Sequence, residues 1–431
     1  MSMETLQKLQ DEMKKCFRCS LCKMVPLPTV QDNRFLDGCP AAREYHFHGY
    51  SGSGKNIMAL ALVDGRIPVD SDLADIVFSC TTCGLCDVAC KFIMEAERHL
   101  VNMALRETLV EAGLMPDELR RSLEPMSGLP TAIDDSVLAR IQKYQIPLLP
   151  DKQADILIMP PCPLSGDSDA WDMTIKLARI LMSAHMKVGL PGTGAICCGL
   201  PAYWCGDRVK FESTAQSLLA YLDSLGAKTV ITVSGSCLGA LRSKIPEYIG
   251  PLDPTILHAT EVLSDLIEAG RLNLHRPIHG KVAYHDPCYL GRQSEPPVTW
   301  SGEIKITHGC MTYADPPKPI NRGVNGVYDA PRKILSRIPG LEFIELLRIR
   351  EYSFCCGGGG GAPESRPELA NSTALHRIEE TRAVGADILA TACSHCRTNL
   401  SMAQEGWVAQ RLPIVDIIDL VYKAAGFSDR G

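Results

Sequence analysis

Apolar residues recur every three to four positions in the first 125 residues, as they do on one face of a helix. One such stripe leads into Cys16 and predicts a short amphipathic helix before that cysteine. A second begins at Ser71, a typical N-cap residue, and ends at Cys80. A third runs over residues 87–112 and predicts one longer helix, which the next glycine stops. Cysteines therefore lie at the ends of predicted helices.

Beyond residue 150 the pattern changes to short apolar runs that alternate with helix-length segments. The run at 155–161 predicts a buried strand that ends at Cys162, and the run at 281–287 predicts one that ends at Cys288. Strands that alternate with helices form parallel sheets with helical cover. In such sheets functional sites assemble at the carboxyl ends of the strands, where these cysteines stand.

The two stretches form an internal repeat. Each copy contains a strand that ends in Pro-Cys, an adjacent cysteine pair followed by glycine, and a second strand, introduced by Gly-Ala, that leads to a last cysteine. The equivalent positions are Cys162 and Cys288, Cys197-Cys198 and Cys355-Cys356, and Cys237 and Cys396. Alignment places Ser234 opposite Cys393, so the first copy retains four cysteines and the second has five.

These patterns predict a fold of the α + α/β class in three domains. Residues 1–125 form an α-helical ferredoxin-like domain, residues 151–275 the first α/β copy, and residues 276–431 the second. A linker rich in proline and glycine, residues 123–150, precedes the first copy. The second copy is lengthened at residues 292–325, where five prolines predict an irregular excursion.

Composition and charge narrow the functional classes. A net charge of −6 gives no basic surface for nucleic acid, so no nucleic-acid partner is expected. The N-terminus lacks the apolar stretch of a signal peptide, and no window approaches the roughly 20 apolar residues that span a bilayer. We therefore expect a cytoplasmic protein without a transmembrane segment, in which most of the 19 cysteines bind metal rather than form a disulfide framework.

Eight cysteines precede residue 91, in two runs with two-residue gaps. Thiolates at this spacing bind iron–sulfur clusters, and two [4Fe–4S] cubanes need eight of them. In two-cluster ferredoxins the fourth cysteine of each run ligates the other cluster. The predicted ligands are Cys16, Cys19, Cys22 and Cys90 for cubane 1, and Cys39, Cys80, Cys83 and Cys86 for cubane 2. Two zinc sites are the alternative, which three cysteines at this spacing disfavour.

The adjacent pair Cys355-Cys356 predicts a different kind of centre. Neighbouring side chains diverge and suit adjacent irons of a larger cluster better than one small tetrahedral ion. The second copy offers five cysteines for such a cluster, namely Cys288, Cys355, Cys356, Cys393 and Cys396. The glycines at 357–361 let the backbone approach and donate N–H groups to sulfur. Buried core thiols or a redox disulfide are the alternatives.

Other signals are weaker. The segment 49–56 imitates a phosphate-binding loop but carries asparagine where serine or threonine should bind magnesium, so a flexible loop that covers a cluster is expected instead. His285 and His395 stand beside predicted ligands, and they would donate protons, tune the cluster or only hold the fold. Cys205 and Cys310 are expected to be spare thiols.

The tandem Cys…Cys-Cys-Gly…Cys-x2-Cys copies behind a double four-cysteine module resemble the heterodisulfide-reductase family of iron–sulfur subunits. They are similar also to the iron–sulfur subunits of glycolate and lactate oxidation. The resemblance implies two cysteine-rich (CCG) domains and a noncubane [4Fe–4S] cluster on the five cysteines of the second copy. The first copy departs from the pattern at Ser234. A second noncubane cluster, a zinc ion or nothing would then occupy its set, Cys162, Cys197, Cys198 and Cys237.

The segments 284–292 and 326–332 look most like those of the soluble heterodisulfide-reductase-like subunits of class II benzoyl-CoA reductase complexes. This resemblance implies an electron-transferring oxidoreductase subunit. Its expected partners are a flavoprotein subunit of the heterodisulfide-reductase A type, other redox subunits and a ferredoxin. The alternatives are a subunit that itself reduces a disulfide, an iron–sulfur subunit of glycolate or lactate oxidation, and a zinc-stabilised scaffold without enzymatic activity.

Overall fold

The computed structural model describes residues 2–25, 30–126, 128, 133–150, 154–161, 170–192, 194–309, 311–405 and 411–428. The first part of the chain is helical, as its apolar spacing predicts. Its helices are α1 (Ser2–Lys8), α2 (Gln10–Lys14), α3 (Pro40–Tyr45), α4 (Gly52–Val63), α5 (Ser71–Phe78), α6 (Leu85–Ile93), α7 (Arg98–Glu111) and α8 (Asp117–Leu123). Short 3₁₀ turns occur at Leu21–Lys23, Asn33–Phe35 and His48–Tyr50.

The single helix predicted over residues 87–112 is wrong, because the chain breaks it into α6 and α7. Glu95, in the break, adopts a left-handed backbone with φ of +51°. Asp87 of α6 then accepts a hydrogen bond of 2.6 Å from the backbone N–H of His99, in the first turn of α7. This bond satisfies one of the N–H groups that a helix start leaves without a partner. The break lets α7 turn back and pack against α1, α4 and α5.

The first copy of the repeat contains a five-stranded sheet. Its strands are β1 (Leu148–Leu149), β2 (Ile156–Met159), β3 (Val188–Pro191), β4 (Thr229–Thr232) and β5 (Thr255–His258). Its helices are α9 (Asp135–Lys143), α10 (Ala170–Ser183), α11 (Leu200–Cys205), α12 (Arg208–Leu225), α13 (Gly235–Gly239), α14 (Ile245–Tyr248) and α15 (Ala259–Glu268). A π-helical turn, Ala240–Lys244, joins α13 to α14.

The second copy contains a four-stranded sheet and a separate hairpin. Its strands are β6 (Gly280–Tyr284), β7 (Glu303–Thr307), β8 (Met311–Asp315), β9 (Leu341–Ile344), β10 (Ile388–Thr391) and β11 (Ile414–Asp416). Its helices are α16 (Asp329–Arg337), α17 (Ala362–Ser365), α18 (Pro367–Ala383), α19 (Ser394–Met402) and α20 (Ile417–Ala424). A 3₁₀ turn lies at Arg350–Tyr352.

The two sheets have the same strand order. The first runs β1-β3-β2-β4-β5 and the second β9-β6-β10-β11, and the pairings in both are parallel. Strands β2 to β5 therefore correspond to β6, β9, β10 and β11. This correspondence confirms the internal repeat and the α + α/β fold class.

Two segments that looked irregular in the sequence contain regular elements. The linker contributes α9 and β1, and β1 extends the first sheet by pairing with β3. The insertion at 292–325 contains the antiparallel hairpin β7–β8, paired from Glu303 with Asp315 to Thr307 with Met311. Its prolines flank the strands and do not interrupt them, which is why their number suggested a loop.

The copies meet at the carboxyl ends of β4 and β10. The backbone N–H of Gly235 donates to the carbonyl of Ala392 at 3.0 Å across this junction. The helical part lies against both copies, and Arg106 of α7 ties them together. Its fully buried guanidinium donates to the carbonyl oxygens of Trp204 in the first copy and Gly360 in the second. No helix in the described ranges is long and apolar enough to cross a membrane.

Candidate functional site

Four of the first eight cysteines line one cavity in the helical part. Cavity 1 is bounded by the side chains of Cys16, Cys19, Cys22 and Cys90, together with Phe17, Met94 and Ala96. Three of these cysteines come from the loop before and within the turn at Leu21–Lys23, and the fourth lies on α6. The structure thus brings together the set predicted for cubane 1.

The other four cysteines line a second cavity. Cavity 2 is bounded by Cys39, Cys80, Cys83 and Cys86, and Lys55, Asn102 and His99 complete its walls. Cys39 stands at the start of α3, Cys80 and Cys83 lie in the loop that leads into α6, and Cys86 lies in the first turn of α6. Lys91, which follows Cys90 where proline is usual, pairs with Glu97 (2.9 Å) and Asp87 (3.6 Å).

The two cysteine loops share one backbone conformation. Arg18 and Thr82, each one residue before the second cysteine of its run, have φ of +58° and +50°. Ser20 and Gly84, each one residue after it, have φ of +68° and +71°. Left-handed residues turn successive N–H groups inward and form a nest for an anion. In the second loop the backbone N–H of Thr82 donates to the Sγ atom of Cys80 at 3.4 Å.

The segment at 49–56 is not a flexible loop, because its second half begins α4. Ser51 caps this helix by accepting a hydrogen bond from the N–H of Gly54. The helix start reaches both cavities: Ser53 contacts the Sγ of Cys22 at 3.4 Å, and Gly52 lies beside Cys86. A Cβ atom on Gly52 would stand 2.7 Å from the Cβ of Cys86, so only glycine fits there.

The chemistry of these thiols fits a metal site. Burial raises the pKa of the Cys39 thiol to about 12, and burial likewise raises that of Cys90 to about 12. A thiolate is stable in such surroundings only beside a cation, and a metal that binds it displaces the proton. Two groups of four thiols around cavities therefore fit iron–sulfur clusters.

The second copy gathers its five cysteines at the ends of its strands. Cys355 and Cys356 are hydrogen-bond neighbours, Cys356 contacts Cys396, and Cys396 contacts Cys393. Cys288 lies beside Cys355 and packs in the same cluster. Backbone N–H groups point at the sulfurs: those of Gly357 and Gly358 donate to the Sγ atoms of Cys355 (3.2 Å) and Cys356 (3.4 Å). Such bonds to sulfur are characteristic of iron–sulfur sites.

His285 faces the same group of sulfurs. One of its ring nitrogens lies within 4.8 Å of the Sγ atoms of Cys356 and Cys396. Nδ1 accepts a hydrogen bond of 3.2 Å from the buried guanidinium of Arg377, and Nε2 has no partner among the described residues. Burial and the Arg377 charge lower the pKa of His285 to about 3, so the ring is neutral and we assign its proton to Nε2.

The first copy brings together a smaller set. Cys197, Cys198 and Cys237 are all buried, and Cys198 is a hydrogen-bond neighbour of the other two. Cys162, the fourth member of the predicted set, lies outside the described residues, as does Cys310. Cys205 is buried at the end of α11. The side chain of Ser234 is turned toward the second copy.

Two arginines join the centres, and motif reasoning did not identify either. Arg106 donates to the carbonyl of Cys80 at 2.7 Å, as well as to that of Gly360 at 2.8 Å. Arg292 donates to the carbonyls of Cys83 and Ser353, both at 2.7 Å. Each arginine thus fixes the loop of cavity 2 to the glycine and cysteine loop of the second copy. Arg292 follows the Pro-Cys motif closely, which was an available signal, whereas Arg106 sits mid-helix without one.

Comparison with known families agrees with this arrangement. A 4Fe-4S dicluster domain matches residues 12–92, and a cysteine-rich domain matches residues 156–242 and again residues 304–401. The second match begins downstream of β6 and Cys288. These matches support an iron–sulfur protein, in which the dicluster-domain match precedes the two cysteine-rich matches.

Curated relatives share most of this length. The chain is 29% identical to the D subunit of the dihydromethanophenazine:CoB–CoM heterodisulfide reductase of Methanosarcina barkeri, over 83% of this chain and 80% of that one. Identity to the corresponding protein of Methanosarcina mazei is 27%, over 97% and 95%. The EtfAB:quinone oxidoreductase of Syntrophomonas wolfei is 26% identical over 81% of this chain and 47% of its own.

Solved structures also resemble the fold. The crystal structure of a hypothetical protein from Helicobacter pylori aligns with a TM-score of 0.55 at 12% identity, covering 88% of this chain and 69% of that one. At that identity the likeness concerns the fold alone. The domain matches and the relatives together support a heterodisulfide-reductase-like iron–sulfur oxidoreductase.

Proposed function

We propose that this chain relays electrons between two ferredoxin-type cubanes and one noncubane [4Fe–4S] cluster within a cytoplasmic multi-subunit complex. The proposed ligands are the four cysteines of cavity 1, the four of cavity 2, and the five of the second copy. When bound, such clusters supply one-electron oxidation and reduction. The protein holds the ligand sets, excludes water from them and fixes the distances between the clusters.

A contact between two ligand sets carries the proposal. The thiol of Cys83, in cavity 2, is a hydrogen-bond neighbour of Cys355, in the second copy. Cys83 and Cys355 are both buried and pack in one apolar cluster with Cys288. Arg292 holds the two loops together from the side. Ligands of separate centres in direct contact support passage of electrons from one to the other without a mobile carrier.

Exposure indicates where electrons enter or leave. Among the described cysteines only Cys19 is exposed, and the neighbouring Phe17 is 76% exposed. The cavity 1 loop is therefore the proposed docking point for a flavoprotein subunit of the heterodisulfide-reductase A type, for other redox subunits or for a ferredoxin. An exposed aromatic beside an exposed ligand provides a contact that shields the centre when the partner binds.

Metal analysis and one variant test the relay. Anaerobically purified protein should contain about twelve irons with matching acid-labile sulfide, because three four-iron clusters are proposed. Fewer than about eight would rule out two cubanes. In Cys80→Ser, which removes a ligand of cavity 2, a protein donor should no longer reduce the noncubane centre rapidly, whereas Cys205→Ser should behave as wild type. Equal rapid reduction in both variants would exclude a path through cavity 2.

A second candidate function is favoured by a small cavity beside the second copy. Trp204, Gly358, Glu364 and His395 line it, with Trp204 and His395 packed edge to face at 5.1 Å between ring centroids. A disulfide substrate held there would stand next to the proposed noncubane ligands, as the reductase relatives suggest. Turnover of a disulfide with reduced viologen would support this function. A lack of turnover would favour the relay alone.

The process served by the chain is a separate part of the proposal. The resemblance of segments 284–292 and 326–332 favours benzoyl-CoA reduction, with glycolate or lactate oxidation as the alternative. Co-purification from native cells distinguishes them, since the first requires a large flavoprotein and a benzoyl-CoA-reducing enzyme among the bound proteins. For the first copy the candidates are a zinc ion, a second noncubane cluster or no occupant. Zinc and iron analysis of the purified protein separates them, because a second noncubane cluster would raise the iron content from about twelve to about sixteen.

A further inference from the structure

Ser234 occupies the position of a ligand that the first copy has lost. It follows β4 and is the N-cap residue of α13, with φ of −117° and ψ of 134°. Cys393 follows β10 and is the N-cap residue of α19, with φ of −154° and ψ of 126°. Both residues are extended, so their side chains leave equivalent points of the repeat. Because the copies meet at these strand ends, the two side chains also meet each other.

The hydroxyl of Ser234 does not cap its own helix. An N-cap serine usually accepts a hydrogen bond from an N–H group in the first turn that follows it. Ser234 makes no such bond within α13, and it accepts instead from the backbone N–H of Ser394 in the other copy, at 3.2 Å. Its Oγ atom stands 3.5 Å from the Sγ atom of Cys393, with geometry suitable for donation to sulfur. The hydroxyl of Ser234 therefore forms hydrogen bonds with the second copy instead of with its own helix.

The neighbouring hydroxyls allow that donation. Ser236 Oγ lies 2.9 Å from Ser234 Oγ and 3.2 Å from Nδ1 of His395. Ser394 Oγ lies 3.0 Å from Ser234 Oγ and competes with Cys393 for its proton. If His395 donates to Ser236 and Ser236 donates to Ser234, the proton of Ser234 is directed to Cys393. A thiolate can only accept, and a charge-assisted bond is stronger than one between neutral hydroxyls, which favours this direction. Ser234 is fully buried, so bulk water does not compete for its proton.

We propose that Ser234 is a positioning residue that raises the reduction potential of the cluster on the second copy by donating a hydrogen bond to Cys393. This inference rests on the proposed function, because it takes Cys393 as a cluster ligand. A hydrogen bond to a ligand sulfur stabilises the reduced, more negative state of a cluster. At this position of the repeat the second copy has the proposed ligand Cys393. The first copy has Ser234, which donates a hydrogen bond to that ligand.

Potentiometric titration of the anaerobic holoprotein, followed by EPR, tests the proposal. The relevant signal is first identified as the one that disappears in Cys356→Ser. In Ser234→Ala we expect the ratio of reduced to oxidised cluster at a fixed potential to fall about tenfold, which for one electron is a shift of about 59 mV to more negative values. Ser234→Thr, which retains a hydroxyl, should restore a potential near that of wild type.

Two further variants keep the test decisive. Ser234→Gly also removes the hydroxyl and is tolerated at an N-cap position, so it should shift the potential in the same direction as Ser234→Ala. This variant also substitutes for Ser234→Ala if that protein does not fold. Ser236→Ala is the matched control: its hydroxyl is equally buried, and the described contacts do not join it to Cys393. It should move the potential less than Ser234→Ala does.

The outcomes separate this inference from the proposed function. An unchanged or more positive potential in Ser234→Ala, at wild-type iron content, would overturn the role of Ser234. An equal shift in Ser236→Ala would do the same, because it would indicate a general loss of packing. If wild-type protein shows no signal that depends on Cys356, the proposed function itself fails. The cubane signals should keep their potentials in all these variants.

Discussion

The two copies of the repeat share a strand order but differ in the residues at the strand ends. The second presents five cysteines and a glycine run, and the first presents Cys197, Cys198 and Cys237 in its described part, with Ser234 at the equivalent of Cys393. Apolar residues of the strands form most of each core, and the cysteines of both copies pack into the same cores. The comparison teaches that this fold and its capacity for a cofactor are separable. A copy can lose a ligand and remain folded.

The copies differ also in how charge is buried. In the second, Arg348, Arg377 and Glu380 are all fully buried, and Glu380 accepts hydrogen bonds of 2.7 Å from both arginines. Arg377 in turn orients His285. In the first copy the prominent ion pair, Lys176 with Asp172, remains partly exposed. The second copy thus has a buried network of charged side chains, which contacts His285 beside its cysteines.

The largest expected difference concerns metal content. Cys356→Ser should remove about four irons and the noncubane EPR signal while the cubane signals remain, because the ligand set of the second copy is broken. Cys198→Ser, the matched change in the first copy, should leave the iron content close to wild type, since that copy lacks a fifth thiolate. Iron analysis and EPR measure both. An equal loss of iron in the two variants would show that both copies hold clusters.

The next difference concerns stability. Glu380→Gln leaves two fully buried guanidinium groups without their counter-charge, and we expect it to lower the free energy of unfolding by about 3–5 kcal/mol. Asp172→Asn breaks the partly exposed pair of the first copy and should cost about 1 kcal/mol or less. Denaturant titration of both variants under anaerobic conditions gives the two values. Similar costs would contradict the idea that only the second copy relies on buried charge.

A smaller difference is expected at the glycine after each cysteine pair. Gly357 and Gly199 both have positive φ, +87° and +82°. A Cβ atom on Gly357 would stand 2.3 Å from the carbonyl oxygen of Ala370, whereas on Gly199 the nearest atom, in Phe211, is 3.0 Å away. Both alanine variants carry the backbone cost of about 1–2 kcal/mol, and Gly357→Ala adds an overpacking cost of similar size. Thermal unfolding should rank Gly357→Ala below Gly199→Ala, and the reverse order would be inconsistent with this geometry.

A further effect depends on pH and lies where α7 faces the first copy. Burial raises the pKa of Glu107 to about 7. Between the unfolded pKa and pH 7 the unfolded chain ionises while the folded carboxyl stays protonated, so the contribution of Glu107 to stability falls by at most about 1.4 kcal/mol per pH unit. Glu107→Gln should therefore gain stability relative to wild type as the pH rises from 5 to 7. Thermal melting of both proteins across this pH range measures the difference, and a difference that does not change with pH would contradict the raised pKa of Glu107.

Much of this architecture could be predicted from sequence because it depends on local spacing. Cysteine gaps, strand-ending Pro-Cys motifs and the Gly-Ala strands indicated the fold class and the repeat. Four cysteines line each cavity, and the fourth cysteine of each run lies with the other run, as the spacing suggested. Cys39 and Cys90 join these sets although they lie far from their partners in sequence.

Features that depend on contacts between distant segments could not be predicted. The alignment identified Ser234 as the missing ligand, but its hydrogen bond to Cys393 requires knowing how the copies face each other. Arg106 contacts the carbonyls of three regions from the middle of a helix, and only burial distinguishes it from an ordinary surface arginine. The β7–β8 hairpin was missed because flanking prolines dominated the composition of its segment.

Each cavity takes its fourth cysteine from the other run of cysteines, and this exchange has a consequence for biosynthesis. Cavity 1 joins the first three cysteines to Cys90, and cavity 2 joins Cys39 to cysteines that end at Cys86. A ribosome must therefore release nearly the whole N-terminal segment before either cavity can close, and then both close within a few residues of synthesis. Before Cys80 is synthesised, the chain holds three cysteines of cavity 1 and one of cavity 2, so neither set of four is complete. Cluster loading becomes a late, concerted event, which ties cofactor delivery to completion of α6.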